Sequence, residues 1–296
     1  MNTSKKAFLF PGQGAQFEGM SKQLLTDFAG AKAYFEQANE ILGFDIGKIM
    51  QEGSAEDLRQ TKITQPAIFL HSVISAKVKM PADLIPAAVA GHSLGEFSAL
   101  VASKALSFED GLRLVNTRAM AMQEACENQP GTMAAIMTSD VAMVEQVCAA
   151  IDEIVVPANY NTASQLVISG TEAGVKAACE ALSARGAKAI PLAVGGAFHS
   201  PIMDSAKQAL EHAISQVEFH RPICPIYQNV TAKPTLDVVE IRANLINQLT
   251  GPVKWSQTIQ NMIANDIKEF VEVGGRGRIL LGMIRKIDRS VGMEML

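Results

Sequence analysis

The chain has 296 residues, enough for one large domain or two modest ones. Its composition, 48% hydrophobic and 19% charged, supplies ample material for a globular core, and its net charge of −4 argues against a general nucleic-acid binder. No stretch reaches the ~18 apolar residues of a membrane helix, so a protein without membrane association is expected.

Lys5 and Lys6 precede a short apolar run, Ala7 to Phe10, which Pro11-Gly12 ends. That run is too short for a secretory core, so a cytoplasmic location is expected. It reads as a strand entering the glycine turn Pro11-Gly12-Gln13-Gly14. A second such unit follows: Ala87–Ala90, then Gly91-His92-Ser93-Leu94-Gly95. A third is Phe270–Val273, then Gly274-Gly275-Arg276-Gly277. Strand, tight loop and helix in repetition predict an α/β domain with a mainly parallel sheet. Ligands of such sheets bind at the carboxyl ends of the strands, so the first two loops are candidates to meet.

Ser107 with Asp110 three residues on resembles a capping box, with Asp in place of Glu. Leu112, Val115, Ala119 and Met122 continue at helical spacing. From about residue 131 to 197 the pattern changes. It reads as strand (Thr132–Met137), helix (Val141–Ala150), strands (Ile154–Ala158 and Gln165–Ser169), helix (Glu172–Arg185) and strand (Lys188–Val194). This βαββαβ order predicts a ferredoxin-like subdomain over 131–197, inserted in a large domain formed by 1–130 and 198–296. Ser200-Pro201 reads as the cap and first residue of a helix running to about residue 216. Cys126, Cys148, Cys179 and Cys224 form no CxxC pair and fit no zinc spacing, so free thiols and no metal site are expected.

Gly91-His92-Ser93-Leu94-Gly95 is a G-x-S-x-G pentapeptide between strand and helix. The sharp turn lifts the Ser93 side chain out of the backbone path, and flanking glycines remove Cβ atoms that would clash. The helix N-terminus favours developing negative charge, and the Leu94 amide can face an oxyanion. A serine nucleophile needs a base. Of the five histidines, His92 adjoins Ser93 and should point away from it. His71 and His212 lie in helical runs, and His220 lies in an extended segment. His199 stands in a loop just before a helix, where catalytic side chains tend to sit. The alternative for His199 is a solvated loop residue. A triad acid is harder to place. Asp140, Asp152 and Glu153 lie between Ser93 and His199, but in or near the insert, and no histidine follows His220. Arg118 lies on the 107–126 helix at the edge of an apolar stripe and needs an anion, either a neighbouring glutamate or a substrate carboxylate.

The set of motifs closely resembles malonyl-CoA:acyl carrier protein transacylases, over residues 7 to 287. The set comprises Phe10-Pro11-Gly12-Gln13-Gly14-Ala15-Gln16, Gln65-Pro66-Ala67, Gly91-His92-Ser93-Leu94-Gly95-Glu96, Arg118, Gly196-Ala197-Phe198-His199-Ser200, Gln248 before Pro252-Val253, and Glu272-Val273-Gly274. The resemblance implies an α/β-hydrolase-like large domain with a parallel sheet core and a ferredoxin-like insert. It implies Ser93 as nucleophile and His199 as its base, oriented by the main-chain carbonyl of Gln248 instead of a carboxylate. It implies an oxyanion hole of the Gln13 and Leu94 amides, and Arg118 on the malonate carboxylate. Phe198 fits the malonyl-selective members, since methylmalonyl-selective members usually carry a small residue there.

The implied reaction is a ping-pong transfer of malonyl from malonyl-CoA, through malonyl-Ser93, to the phosphopantetheine thiol of holo acyl carrier protein, supplying fatty acid synthesis. No cofactor of its own is implied, because phosphopantetheine is carried by the partner, and a monomer is expected. The rival readings are an acyl-thioester hydrolase using the same serine and a trans-acting acyltransferase of a polyketide synthase. The intact Ser93, His199 and Arg118 set argues against a catalytically silent docking partner. One departure is near the C-terminus. Gly275-Arg276-Gly277-Arg278 stands where the family commonly has Pro-Gly-Lys, a basic loop that either faces solvent or touches coenzyme A phosphates or an acidic carrier protein.

Overall fold

The computed structural model describes residues 2–3, 5–81 and 83–296. In chain order, β1 (Asn2–Thr3) and β2 (Lys6–Phe10) precede α1 (Lys22–Asp27), α2 (Ala31–Leu42), α3 (Ile46–Glu52) and the long α4 (Thr61–Lys79). β3 (Leu84–Ile85) and β4 (Ala88–Gly91) lead to α5 (Gly95–Ala102) and α6 (Phe108–Asn128). The middle holds β5 (Thr132–Met137), α7 (Val141–Ala149), β6 (Val155–Thr162), β7 (Gln165–Gly170), α8 (Glu172–Ala184) and β8 (Lys188–Pro191). The remainder is α9 (Asp204–Ser215), β9 (Ile226–Tyr227), β10 (Pro234–Thr235), α10 (Val238–Asn247), α11 (Trp255–Ala264), β11 (Glu269–Glu272), α12 (Ile279–Ile287) and β12 (Gly292–Met295).

The main sheet runs β10-β9-β4-β2-β11-β12, parallel except where β10 meets β9. Alternate residues of its strands feed two cores. Phe8, Phe10 and Val89 join the core that includes Phe69, Leu112 and Leu210 from α4, α6 and α9. Ala7, Leu9, Ala88 and Ala90 face Trp255, Ile259, Leu280 and Ile284 from α11 and α12. Both faces are therefore apolar and covered, as a parallel sheet requires.

The second sheet is antiparallel with order β6-β7-β5-β8, the ferredoxin-like arrangement. Ala134, Ile136, Leu166 and Ile168 pack under α7 and α8, while Met133, Ala135 and Val167 face the larger core. The Tyr160 N–H donates to Val253 O at 2.9 Å and the Val253 N–H to Ala158 O at 2.8 Å, tying β6 to the segment before α11.

Three local expectations change. β6 continues past Ala158 to Thr162, because its polar end, Asn159-Tyr160-Asn161, still pairs with β7. β8 ends at Pro191 instead of Val194, since the Val194 N–H turns back onto Leu192 O. Ser200 does not cap a helix with its side chain. Its hydroxyl donates to Ala197 O at 2.6 Å, Pro201–Met203 forms a 3₁₀ turn, and α9 begins at Asp204. By contrast, Ser107 does cap α6, accepting the Asp110 N–H, while the short Asp110 carboxylate takes the Ser107 hydroxyl. Among the described residues no helix is long and apolar enough to cross a membrane.

Gly111 on α6 sits where a Cβ would lie 2.6 Å from Val101 Cγ2 and 2.9 Å from Phe69 Cζ. Gly111→Ala gains about 1 kcal/mol of helix propensity but incurs overpacking of about 1–3 kcal/mol. The expected net result is a stability lower by roughly 1 kcal/mol, read as a lower midpoint in urea denaturation. A raised midpoint would show that α4, α5 and α6 are not packed this closely.

Candidate active site

β4 delivers the chain to Ser93 and α5 carries it away at once. Ser93 has φ 51, in the left-handed region, which costs a side-chain-bearing residue roughly 1–2 kcal/mol. The turn is possible because the backbones around it nearly touch. A Cβ at Gly91 would fall 1.9 Å from the Gly95 carbonyl carbon, and one at Gly95 would fall 2.0 Å from Phe10 O. The two loops at the strand ends meet as anticipated. The His92 N–H donates to Phe10 O at 3.0 Å, and Gly12 lies so close that a Cβ there would be 2.4 Å from His92 O. The third glycine loop joins them, the Arg276 N–H donating to Ala15 O at 2.7 Å while the Arg276 and Arg278 side chains are exposed.

Ser93 Oγ stands 2.7 Å from His199 Nε2. His199, also at positive φ (58), reaches it from the turn between β8 and α9 and is almost wholly buried. Its Nδ1 faces two main-chain carbonyls, Gln248 O at 2.9 Å and Gly251 O at 3.2 Å. Gln248 is the C-cap of α10, and the last carbonyls of a helix have no partner within it. With only acceptors facing Nδ1, its proton sits there, and Nε2 is left to accept from the Ser93 hydroxyl.

Arg118 is fully buried on α6, and its charge has no carboxylate within ion-pair distance among the described residues. Nη1 donates to Gln65 Oε1 at 2.6 Å, and Nη2 donates to Ser93 Oγ at 3.0 Å and Gln248 Oε1 at 3.2 Å. The buried Nε–H has no acceptor among the described residues. The guanidinium lies over the Phe97 ring, 5.8 Å from its centroid. Of the two expected partners for Arg118, the neighbouring glutamate is therefore absent.

The acyl transferase domain family matches residues 7–290. A malonyl CoA-acyl carrier protein transacylase of Bacillus subtilis is 40% identical over 292 residues, covering 97% of this chain and 92% of its own. The chain belongs to the malonyl CoA-acyl carrier protein transacylase family. A solved transacylase of that name from Xanthomonas oryzae pv. oryzae superposes with TM-score 0.94 at 38% identity, over 100% of this chain and 95% of its own. A malonyl-transacylase solved in complex with a holo type II polyketide acyl carrier protein superposes with TM-score 0.91 at 34% identity, over 100% and 95%.

The transacylase-like arrangement brings Ser93, His199, Arg118 and Gln248 into one hydrogen-bonded cluster, with Leu94 next to Ser93 at the head of α5. Gln13 is exposed on the adjoining loop, and the Cβ that Gly12 lacks would be 3.7 Å from Leu94 N. Phe198 is buried beside His199 and packs on Gly196. His92 turns away from Ser93, its Nε2 3.0 Å from Asn161 Oδ1 on β6. Sequence reasoning gave no role to Gln65, Gly251, Asn161 or Asn229. Gln65 carried a signal, being a polar residue followed by Pro66 just ahead of the apolar run Ala67–Leu70 in α4. Asn229, whose Oδ1 accepts the Ser93 N–H at 2.7 Å, carried none. Among the described residues no group of three or more His, Cys, Asp and Glu is placed to hold a metal ion.

Burial, then the nearby Arg118 charge, lower the His199 pKa to about 3, against support from the Gln248 carbonyl. Burial lowers Arg118 to about 10, which leaves it charged at neutral pH. Burial raises Glu96 to about 7, opposed by donors from Asn229 and Gln228 and by the Arg118 charge.

A histidine whose folded pKa lies below its unfolded 6.5 binds fewer protons when folded, so its protonation opposes the fold only as pH falls through that interval. His199 should therefore show no imidazole titration by NMR between pH 5 and 7.5. In Arg118→Ala, which removes one of the three lowering causes (burial, the Arg118 charge and His92), its titration should move upward. A wild-type midpoint near 6.5 would contradict the buried, cation-flanked site.

Proposed function

We infer that the protein transfers malonyl from malonyl-CoA to the phosphopantetheine thiol of holo acyl carrier protein, supplying fatty acid synthesis. The observation that carries this reading is Arg118, a fully buried cation with no carboxylate within ion-pair distance among the described residues, 3.0 Å from the Ser93 hydroxyl. An acyl group esterified to Ser93 and bearing a free carboxylate would supply the missing anion through the bidentate fork.

In the proposed cycle Ser93 Oγ attacks the thioester carbonyl as its proton passes to His199 Nε2. The Gln248 carbonyl, with that of Gly251, holds the resulting imidazolium. The Leu94 and Gln13 amides would hold the tetrahedral oxyanion at the head of α5. The carbon–sulfur bond breaks, and His199 returns the proton to the coenzyme A thiolate. The carrier thiol then gives its proton to His199 and attacks malonyl-Ser93. Collapse expels Ser93 Oγ, which takes the proton back. Phe198, buried beside His199, is the proposed wall that excludes a branched acyl group. We assign these steps to a catalytic unit of residues 1–130 and 198–296, with 131–197 as a subdomain whose Asn161 meets His92 at the site's edge. The partners are malonyl-CoA and acyl carrier protein.

Binding malonate also changes the base. While the site is empty, the Arg118 charge helps hold His199 at low proton affinity. A bound carboxylate offsets that charge, and His199 becomes a better base as the correct acyl group arrives.

Malonyl-CoA, methylmalonyl-CoA and acetyl-CoA in competition, with holo carrier protein, test the reading. Malonyl-carrier protein should form, and mass spectrometry should find malonyl on the Ser93 peptide. Arg118→Ala should cut malonyl loading about 100-fold and lessen the discrimination against acetyl. Accumulation of free malonate with unacylated carrier protein would identify a thioester hydrolase instead.

A further inference from the structure

β4 and β9 pair at Val89–Ile226 and Ala90–Tyr227, and then their backbones part. β4 enters the left-handed turn at Ser93, while β9 runs into Gln228 and Asn229. Beyond that point a side chain continues the ladder. Asn229, fully buried, accepts the Ser93 N–H on Oδ1 at 2.7 Å and donates from Nδ2 to Gly91 O at 2.6 Å. A primary amide presents an acceptor and a donor side by side, which is what a strand neighbour would offer to the same two groups.

Asn229 is itself fixed. Its N–H donates to Glu96 Oε2 at 2.9 Å, and its carbonyl accepts the Lys254 N–H at 3.0 Å. Glu96 Oε1 accepts from Gln228 Nε2 at 2.9 Å. Gln228 also donates to Ile241 O at 3.0 Å and accepts from Asn244 Nδ2 at 3.0 Å. Ile241 and Asn244 lie on α10, whose C-cap Gln248 turns its carbonyl to His199. An unbroken run of buried hydrogen bonds thus joins the backbone of the nucleophile's turn to the helix that aims the histidine. Buried polar groups so fully paired are rigid, because any other arrangement strands a donor or acceptor away from water.

We propose that Glu96, Gln228 and Asn229 form a positioning unit for the transfer reaction. Asn229 holds Ser93 in its left-handed backbone state, and Glu96 with Gln228 sets the register of that turn against α10, hence the Ser93–His199 distance. None of the three is hydrogen-bonded to Ser93 Oγ, His199 or the Arg118 guanidinium. They act on the rate of acyl transfer through geometry. The proposal rests on the reading of Ser93 as nucleophile.

Two variants keep the size of the side chain and spoil the pairing. Asn229→Asp turns an oxygen toward Gly91 O. Glu96→Gln sets an NH2 against the Asn229 N–H or Gln228 Nε2, both donors. Single-turnover malonyl loading measures the maximal rate and the half-saturating malonyl-CoA concentration. Inactivation by phenylmethylsulfonyl fluoride, which has no carboxylate, reports Ser93 reactivity without Arg118. Both variants should lose on the order of 10- to 100-fold in maximal loading and in inactivation rate, with half-saturation changed less than about threefold.

Asn265→Ala, which removes a 2.8 Å bond to the Tyr227 hydroxyl on the same strand, serves as control: it should lower the thermal midpoint and leave the loading rate intact. Should Asn229→Asp not fold, Glu96→Gln alone decides. Loading within about twofold of wild type in the folded variants, or a loss that Asn265→Ala reproduces at equal destabilisation, overturns the positioning unit. A wild-type protein that forms no malonyl adduct on Ser93 overturns the nucleophile reading and this proposal with it. An adduct in wild type with unimpaired variants overturns the positioning unit alone.

Discussion

A guanidinium keeps its charge almost wherever it is placed, and taking it out of water without an anion is expensive. Arg118 has been taken out of water completely. Three neutral oxygens, from Gln65, Gln248 and Ser93, satisfy part of its fork, and Phe97 lies beneath it. Glu96 is the acidic group whose field reaches it, but burial pushes that carboxyl up to about 7. Much of the surrounding structure serves this charge. α4 contributes Gln65, α10 ends at Gln248, and the turn ahead of α5 carries Ser93 to within reach.

The same residues position the Ser93–His199 pair, which is why so little can be moved independently. Gln248 accepts from His199 with its main chain, accepts from Arg118 with Oε1 and donates from Nε2 to Ser93 O at 3.0 Å. A carboxylate behind His199, as in an ordinary triad, would sit beside a buried cation and pair with it. A main-chain carbonyl orients the imidazole equally well but adds no net charge. Among the described residues, the lack of an acid behind His199 and of an ion-pair partner for Arg118 are therefore two sides of one arrangement, and in the proposed cycle the anion would come with the acyl group.

What the sequence revealed tracks the range of each interaction. The glycine turns, the α/β order and the βαββαβ insert are legible because they are written as local residue patterns, even where the contact that demands the glycine is distant, as for Gly95 against Phe10 O. The end of β6 was hidden by polar residues, and the start of α9 by a serine whose hydroxyl is spent on Ala197 O. Among the site residues, Ser93 was legible from its pentapeptide, and His199 could be reached by elimination. For Arg118 two partners remained open until the structure placed no carboxylate within ion-pair distance among the described residues. Gln248 was suggested by family resemblance alone, because a main-chain acceptor leaves no trace in residue type. Asn229 meets Ser93 from 136 positions away in the chain, and no local pattern marks it.

The electrostatics also bear on how selectivity arises in the proposed cycle. An acetyl group would leave the Arg118 fork short of an anion, which weakens binding. It would also leave the Arg118 charge uncompensated beside His199, so the base would stay reluctant to accept the Ser93 proton. A malonyl group removes both penalties with one carboxylate. Discrimination built this way falls on the rate of acylation as well as on occupancy. A pocket that merely measured the volume of an acyl group would act on occupancy, and acetyl, the smaller group, would pass it. In the proposed cycle a buried cation next to His199 would refuse acetyl because the missing carboxylate would be needed twice.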